Sequence, residues 1–239
     1  MPLPTIATPT YELELPSTGK KVKYRPFLVK EEKLLVLALE SEDTKQITTA
    51  IRAVLKSCIQ TRGVKVDSLP TFDIEFLFLN IRGKSVGEEL EVNLICPDDG
   101  ETSVPVTINI DDIKISKSKE HTKKIQLDKS LIMEMKYPSL DEFIKNNFDF
   151  SGDPGIDQSF DLIASCIDKI YNEEEVWSTA DCTKKEVKEF LEQMNSLQFK
   201  GIEKFFTTMP KLSHSINITN PKTKVESTVV LEGLSSFFE

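Results

Sequence analysis

The sequence predicts an α+β fold in two halves, each ordered as a β-hairpin, a helical bundle of about three helices and a second antiparallel hairpin. Three observations predict it. Short stretches alternate apolar and polar residues around turn-forming residues, the signature of paired strands. Between them, Ile47, Ala50, Ile51, Val54, Leu55, Cys58 and Ile59 recur at i, i+3, i+4, i+7 and i+8, which places them on one helix face. A polar Lys/Ser-rich stretch, "KISKSKEHTKK", then interrupts the chain, and the same order starts again. The expected boundaries are an N-terminal half at 1–116 ending in a ribbon-like hairpin, a connector at 117–124, and a C-terminal half at 125–239 ending in a hairpin and a short apolar tail. An internal duplication and coincidence within an α+β chain both produce this order.

Taken in order, "MPLPTIATPT" is Pro- and Thr-rich and reads as an extended arm. "YELELPSTGKKVKYRPF" alternates around Ser17-Thr18-Gly19 as a hairpin. "LVKEEKLLVLALES" is a short helix, and "SEDTKQITTAIRAVLKSCIQTRG" a longer one, with Asp43 as its cap and Gly63 at its close. "LPTFDIEFLFLNIRG" starts a third helix after Pro70, with Arg82 in the last turn and Gly83 as a left-handed cap before a turn at Gly87. "GEELEVNLICPDDGETSVPVTINIDDI" gives two strands joined at Pro97-Asp98-Asp99-Gly100. In the second half, "KKIQLDKSLIMEMKYPSL" pairs strands around Asp128-Lys129. Ser139 and Glu142 form a capping box for the next helix. "IDQSFDLIASCIDKIYNEEE" carries Phe160, Ile163, Ala164, Ile167, Ile170 and Tyr171 on one helical face. Thr183 and Glu186 box a further helix with Val187, Phe190, Leu191 and Met194, leading through Ile202, Phe205 and Phe206 toward Pro210. The last hairpin turns at Asn220-Pro221.

Composition narrows the function. With 39% apolar and 29% charged residues, the chain fits a soluble globular protein. Its net charge of -9 is spread along the sequence, which argues against nucleic acid as the main partner and gives no help in binding an anionic membrane. The start has neither the basic residues nor the apolar core of a signal peptide, and the longest apolar run, "LLVLAL", is too short to span a bilayer, so an intracellular protein is expected. The cysteines at 58, 96, 166 and 182 form no C-x-x-C pair. Cys58 and Cys166 read as small core residues in a reducing compartment.

Several motifs invite chemistry and then fail. Gly83-Lys84-Ser85 resembles the end of a phosphate loop, but G-x-x-x-x-G-K-[ST] needs a glycine at position 78, which is Phe78. No nucleotide or other cofactor is expected. "ICPDDGE" has one cysteine where zinc wants several soft ligands, with Asp99 where the second would stand, and "TNPKT" offers no further pair. "CPDDGE" and "FDFSGDPGIDQ" group carboxylates without the spacing of a calcium loop, and Asx turns explain both. No G-x-S-x-G occurs, and His121 and His214 lie in polar segments with no nucleophile at motif spacing. Nothing singles out a carboxylate pair among the 39 acidic residues. The expectation is no enzyme, no catalytic residue and no metal ligand.

Binding surface is what remains. Phe205-Phe206 and Phe237-Phe238 are adjacent pairs whose members point in different directions, so one of each pair could meet another subunit. Arg82, Lys84 and Glu88 form a charged edge after a helix, which suits either a docking partner or solvent.

"PTYELELPSTGKKVKYRPFLVKEEKLLVLALES", "LNIRGKSVGEE", "CPDDGE…VTINIDDI" and "VVLEGLSSFF" together resemble the baseplate hub proteins of T-even-type contractile-tailed bacteriophages. The resemblance covers nearly the whole chain, and "YRPFLVKEEK" and "RGKSVGE" are its most specific parts. It implies a hub subunit or a hub assembly factor that acts by protein–protein contact with other hub or tail proteins. It also implies a place in the host cytoplasm during assembly and in the tail baseplate of the virion. The alternatives are a chaperone for another tail protein that is absent from the virion, and an enzyme with an unrecognised carboxylate site. Some relatives carry a fuller CPxCG turn; Asp99 departs from it, and no metal is carried over.

Overall fold

The computed structural model describes residues 6–41, 43–140, 156–233 and 236. In chain order the described elements begin with β1 (Tyr11–Glu14), β2 (Lys21–Tyr24), α1 (Val29–Glu40), α2 (Thr44–Cys58), α3 (Thr71–Val86), β3 (Glu89–Ile95), β4 (Ser103–Asn109) and β5 (Lys114–Ser116). There follow β6 (Lys124–Gln126), β7 (Ile132–Met135), α4 (Ile156–Ser165), β8 (Ile167–Tyr171) and β9 (Val176–Ser178). Last come α5 (Lys184–Glu192), α6 (Ser196–Thr208), β10 (Lys211–Thr219) and β11 (Glu226–Glu232). All strand pairs are antiparallel, and the fold is α+β as expected.

The chain divides into two compact units, Met1–Ser116 with Lys211–Glu239, and Lys117–Pro210. This differs from the boundary expected at 125–239. The last hairpin belongs to the first unit because β10 pairs with β5, and Leu212, Ile218 and Leu231 share one apolar core with Leu90, Val92, Leu94 and Ile108 of β3 and β4. Apolar alternation along both hairpins supplies those inward side chains, and burying them together stabilises more than leaving either sheet face in water.

In the first unit the tip of the β1–β2 hairpin is tied to α3. Ser17 donates both its N–H and its hydroxyl to Asp73, a fully buried carboxyl. Asp43 caps α2 by accepting from the Lys45 N–H, and Ala50, Val54, Leu55 and Cys58 are buried, as the stripe predicts. The helix stops at Cys58 instead of reaching Gly63, since Ile59 is extended and bridges to Tyr24. The expected cap at Gly83 is also displaced. α3 continues through Gly83 to Val86, and Gly87, with φ 129°, ends it. Gly83 serves packing instead, because a Cβ there would lie 2.9 Å from Ile110 Cδ1.

In the second unit a sheet of order β6-β7-β8-β9 packs against helices through Met133, Met135, Ile167, Val187, Leu191, Ile202 and Phe205. The helix expected through Tyr171 ends at Ser165, and Ile167–Tyr171 is a strand. Its β-branched residues suit a strand that pairs on both sides, with β7 and β9. The Thr183–Glu186 capping box is present, and Asn195 starts α6 as a separate helix. The capping box expected at Ser139 and Glu142 and the carboxylates of "FDFSGDPGIDQ" fall at or beyond the edge of the described residues.

The two units share two local backbone features, although the second has the β8–β9 hairpin where the first has no strand. The Arg25 N–H donates to the Cys58 carbonyl at 3.0 Å, and the Lys136 N–H to the Cys166 carbonyl at 2.7 Å. Each donor follows the second strand of a hairpin, and each cysteine closes a helix. In both units a 3-10 turn, at Val66–Ser68 and at Thr179–Asp181, is followed by one residue, a helix N-cap and a helix. An internal duplication and coincidence both leave such local likenesses.

Candidate partner-binding surfaces

Helix α1 is packed on one narrow side. Its buried residues are Glu31 and Ala38, while Leu34, Val36, Leu37 and Leu39 are 41–59% exposed and Val29 is 79% exposed. Glu31 can be buried because its charge is met from three directions. Arg25 and Ser57 donate to Oε1 at 2.9 and 2.7 Å, and the Leu28 N–H donates to Oε2 at 2.8 Å. Burial pushes this carboxyl up, but the three hydrogen bonds and the Arg25 charge outweigh it and hold the pKa at about 2. A groove of about 350 Å³ runs between α1 and α2, lined by Leu34, Leu37, Ala38, Ala50 and Ala53 among others. Sequence reasoning placed this helix but missed its surface. The signal was "LLVLAL": six consecutive apolar residues surround a helix, so a helix packed on one side must expose some of them.

Of the expected charged edge, Lys84 and Glu88 come together as an ion pair, and Lys84 also lies 5.6 Å above the centre of the Tyr11 ring. Lys84 thus fastens the end of α3 to β1. Arg82 is drawn into the unit and is half-buried, and that burial lowers its pKa. Glu88 is the exposed member, close in sequence to exposed Val86. Phe205 is fully buried, and Phe206 packs against the same core with its ring edge-on to Phe205 at 5.2 Å, so this pair is spent inside the second unit. Phe237 and Phe238 lie outside the described residues.

Two hairpin tips meet in the first unit. Asn220 Nδ2 donates to both carboxylate oxygens of Asp98 at 3.1 Å and to Asp99 Oδ2 at 2.9 Å, and the Thr223 hydroxyl donates to Asp98. Asp99 also accepts from the Glu101 and Thr102 N–H groups and the Thr102 hydroxyl. Cys96-x-x-Asp99 and Asn220-x-x-Thr223 repeat the spacing of the paired ligands of a zinc ribbon, but one thiol among carboxylates, an amide and a hydroxyl is not a soft tetrahedral set. The tips are therefore joined by hydrogen bonds, which sharpens the expectation of a ribbon-like hairpin. Among the described residues no three His, Cys, Asp or Glu side chains are grouped to hold a metal ion.

His121, which the sequence places in a polar segment, is part-buried. Its Nδ1 lies 3.0 Å from the Thr208 hydroxyl and its Nε2 3.0 Å from the Tyr137 hydroxyl, with its ring stacked on Tyr137. Burial lowers its pKa, and Lys123 and Lys117 lower it further.

Among the described residues no helix is long and apolar enough to cross a membrane. Neither the curated proteins nor the solved structures contain a match to the chain. A protein-family profile described as the T4 bacteriophage base plate protein does match, over residues 8–239. That span takes in both units, the α1 surface and the clasped hairpin tips, and it is far more than half of the sequence; the chain belongs to the T4 bacteriophage base plate protein family.

Proposed function

We propose that this phage baseplate protein works at the baseplate hub, as a hub subunit or as a factor that assembles the hub, by protein–protein contact and without catalysis. The observation that carries the reading is the inverted burial of α1, which hides a carboxylate and an alanine and presents large aliphatic side chains to the outside. A surface of that kind suits a partner that covers it. The partners are other tail proteins, met in the host cytoplasm during assembly. Glu88 and Val86 at the end of α3 offer a second, smaller contact.

The test is co-expression of the chain with the remaining tail proteins of its phage. Co-purification of a complex is the expected result. A chain that captures no tail protein, together with intact baseplates after deletion of its gene, would falsify the reading. Mass spectrometry of purified virions separates the two forms of the proposal. Stoichiometric peptides mark a subunit, and their absence marks an assembly factor or a chaperone for another tail protein.

A further inference from the structure

The exposed face of α1 carries information about what covers it. Val29, Val36, Leu37 and Leu39 are exposed on it, more large aliphatic surface than a helix of a monomer commonly leaves uncovered. The first turn of α1 carries Glu31 and Glu32 beside Lys30, Lys33 follows, Glu40 is the last residue, and the last turn has no basic side chain. Glu40 is unfavourable beside the negative end of the helix's own dipole, so a cation brought to it from outside would relieve it. Lys33 and Glu40 are both exposed, lie seven residues apart on the same face, and have no ion-pair partner among the described residues.

We propose that α1 pairs with α1 of a second copy of this chain, antiparallel about a two-fold axis between Val36 and Leu37. A two-fold interface presents the same patch on both sides, so it must be complementary to itself. This one is. With the axis at that point, Val36 and Leu37 of both copies meet at the centre, and Lys33 lies level with the partner's Glu40 on each side. Two equivalent ion pairs thus frame an aliphatic centre, and the groove beside Leu34, Leu37, Ala50 and Ala53 takes up the flanking side chains. The pairing also brings a cation to Glu40 at the negative end of each helix.

This inference rests on reading α1 as a contact surface and names its occupant. The experiment is sedimentation equilibrium of the full chain across a wide range of concentration. The expected result is a reversible monomer–dimer equilibrium. Val36→Glu with Leu37→Glu abolishes the dimer and leaves the circular dichroism unchanged, since both side chains are exposed. Lys33→Glu weakens the dimer by roughly tenfold, because two symmetric pairs become repulsive. Lys33→Glu combined with Glu40→Lys restores it, which only a self-complementary pairing does. A chain that is monomeric at every concentration overturns the proposal, as does a dimer untouched by the Val36 and Leu37 changes. A monomer that captures another tail protein through α1 overturns the second copy as occupant but leaves the hub reading standing. A dimer that captures no tail protein supports the pairing and counts against the hub reading.

Discussion

The Asn220 amide nitrogen lies 2.9 Å from Asp99 Oδ2 and 3.1 Å from each carboxylate oxygen of Asp98, joining two hairpin tips more than 120 residues apart in the chain. Asn220 is 1% exposed, while Asp98 is exposed and Asp99 half-buried. These contacts hold the tip of the last hairpin to the tip of the β3–β4 hairpin.

Asn220→Ala removes the donor and leaves both carboxylates facing an apolar methyl group. The expected effect is a loss of stability at the hairpin tips, kept modest because water can reach the Asp98 carboxylate once the amide is gone. Hydrogen exchange of the β10 and β11 amides should speed up more than that of α2. Equal acceleration everywhere would show that the tips do not hold the hairpin locally. The clasp is also acid-sensitive. Hydrogen bonds from Thr223 and Asn220 depress the pKa of Asp98, and those from Thr102 and then Asn220 depress that of Asp99. A depressed carboxylate contributes stability above its unfolded pKa and loses it as pH falls through the folded value, so the exchange difference should shrink below about pH 4.

Glu31 supports a second pH-dependent prediction. Its pKa of about 2 lies well below the ordinary carboxylate value, so its contribution is complete above about pH 4.5 and is lost as pH falls toward 2. A shift of that size corresponds to roughly 3 kcal/mol. Glu31→Gln keeps the shape and discards the charge, leaving Arg25 without its carboxylate. Urea unfolding should find the variant less stable at neutral pH, with the gap closing on acidification. A gap that stays constant down to pH 2 would place the loss in packing instead.

These networks mark the limit of what the sequence discloses. The Asp43 cap, the Thr183–Glu186 box, the α2 stripe and the turns at Ser17–Gly19 and Asn220 are all decided within a few residues, and each is legible. Ile167 and Ile170 extend the helical period of Phe160 and Ile163 and read as helix, yet pairing with Met135 and Met133 of β7 makes them strand, a choice made by partners 32 and 37 residues upstream. Gly83 reads as a cap because glycine usually ends helices, whereas here the side chain of Ile110 occupies the space a Cβ would need. The α1 surface is half-legible: six apolar residues in a row betray exposure, while the burial of Glu31 depends on Arg25 and Ser57, which no local pattern connects.

Gly83 and Gly201 yield a paired prediction. Both sit inside helices, where alanine is intrinsically better by about 1 kcal/mol. At Gly83 the obstacle is Cδ1 of Ile110, the far end of a buried side chain that must shift to make room, so Gly83→Ala should cost less than the same change at Gly201. At Gly201 a Cβ would lie 2.6 Å from Cγ2 of Ile125, an atom fixed to the β-branch and held in the second core. Gly201→Ala should therefore destabilise by about 1–3 kcal/mol despite its better propensity. Thermal unfolding of the two variants compares them directly, and a Gly201→Ala variant as stable as Gly83→Ala would show that β6 shifts to make room.

The chain has one tryptophan, Trp177, on β9 of the second unit, so its fluorescence reports that unit alone. This isolates the effect of His121. Because burial, with Lys123 and Lys117, lowers the imidazole pKa in the folded state, the unfolded chain binds the extra proton more readily. Folding is then favoured above the unfolded value of about 6.5 and weakened as pH falls through it toward the lower folded value. Neutral His121 can donate to Thr208 and accept from Tyr137, an arrangement that a second ring proton disrupts. The Trp177 melting temperature should drop by a few degrees between about pH 7.5 and 5.5, before the ordinary carboxylates titrate. His121→Gln, which retains a donor and an acceptor without titrating, should flatten that slope. If the slope persists unchanged in the variant, another group sets the pH response of the second unit and the His121 contacts are not its cause.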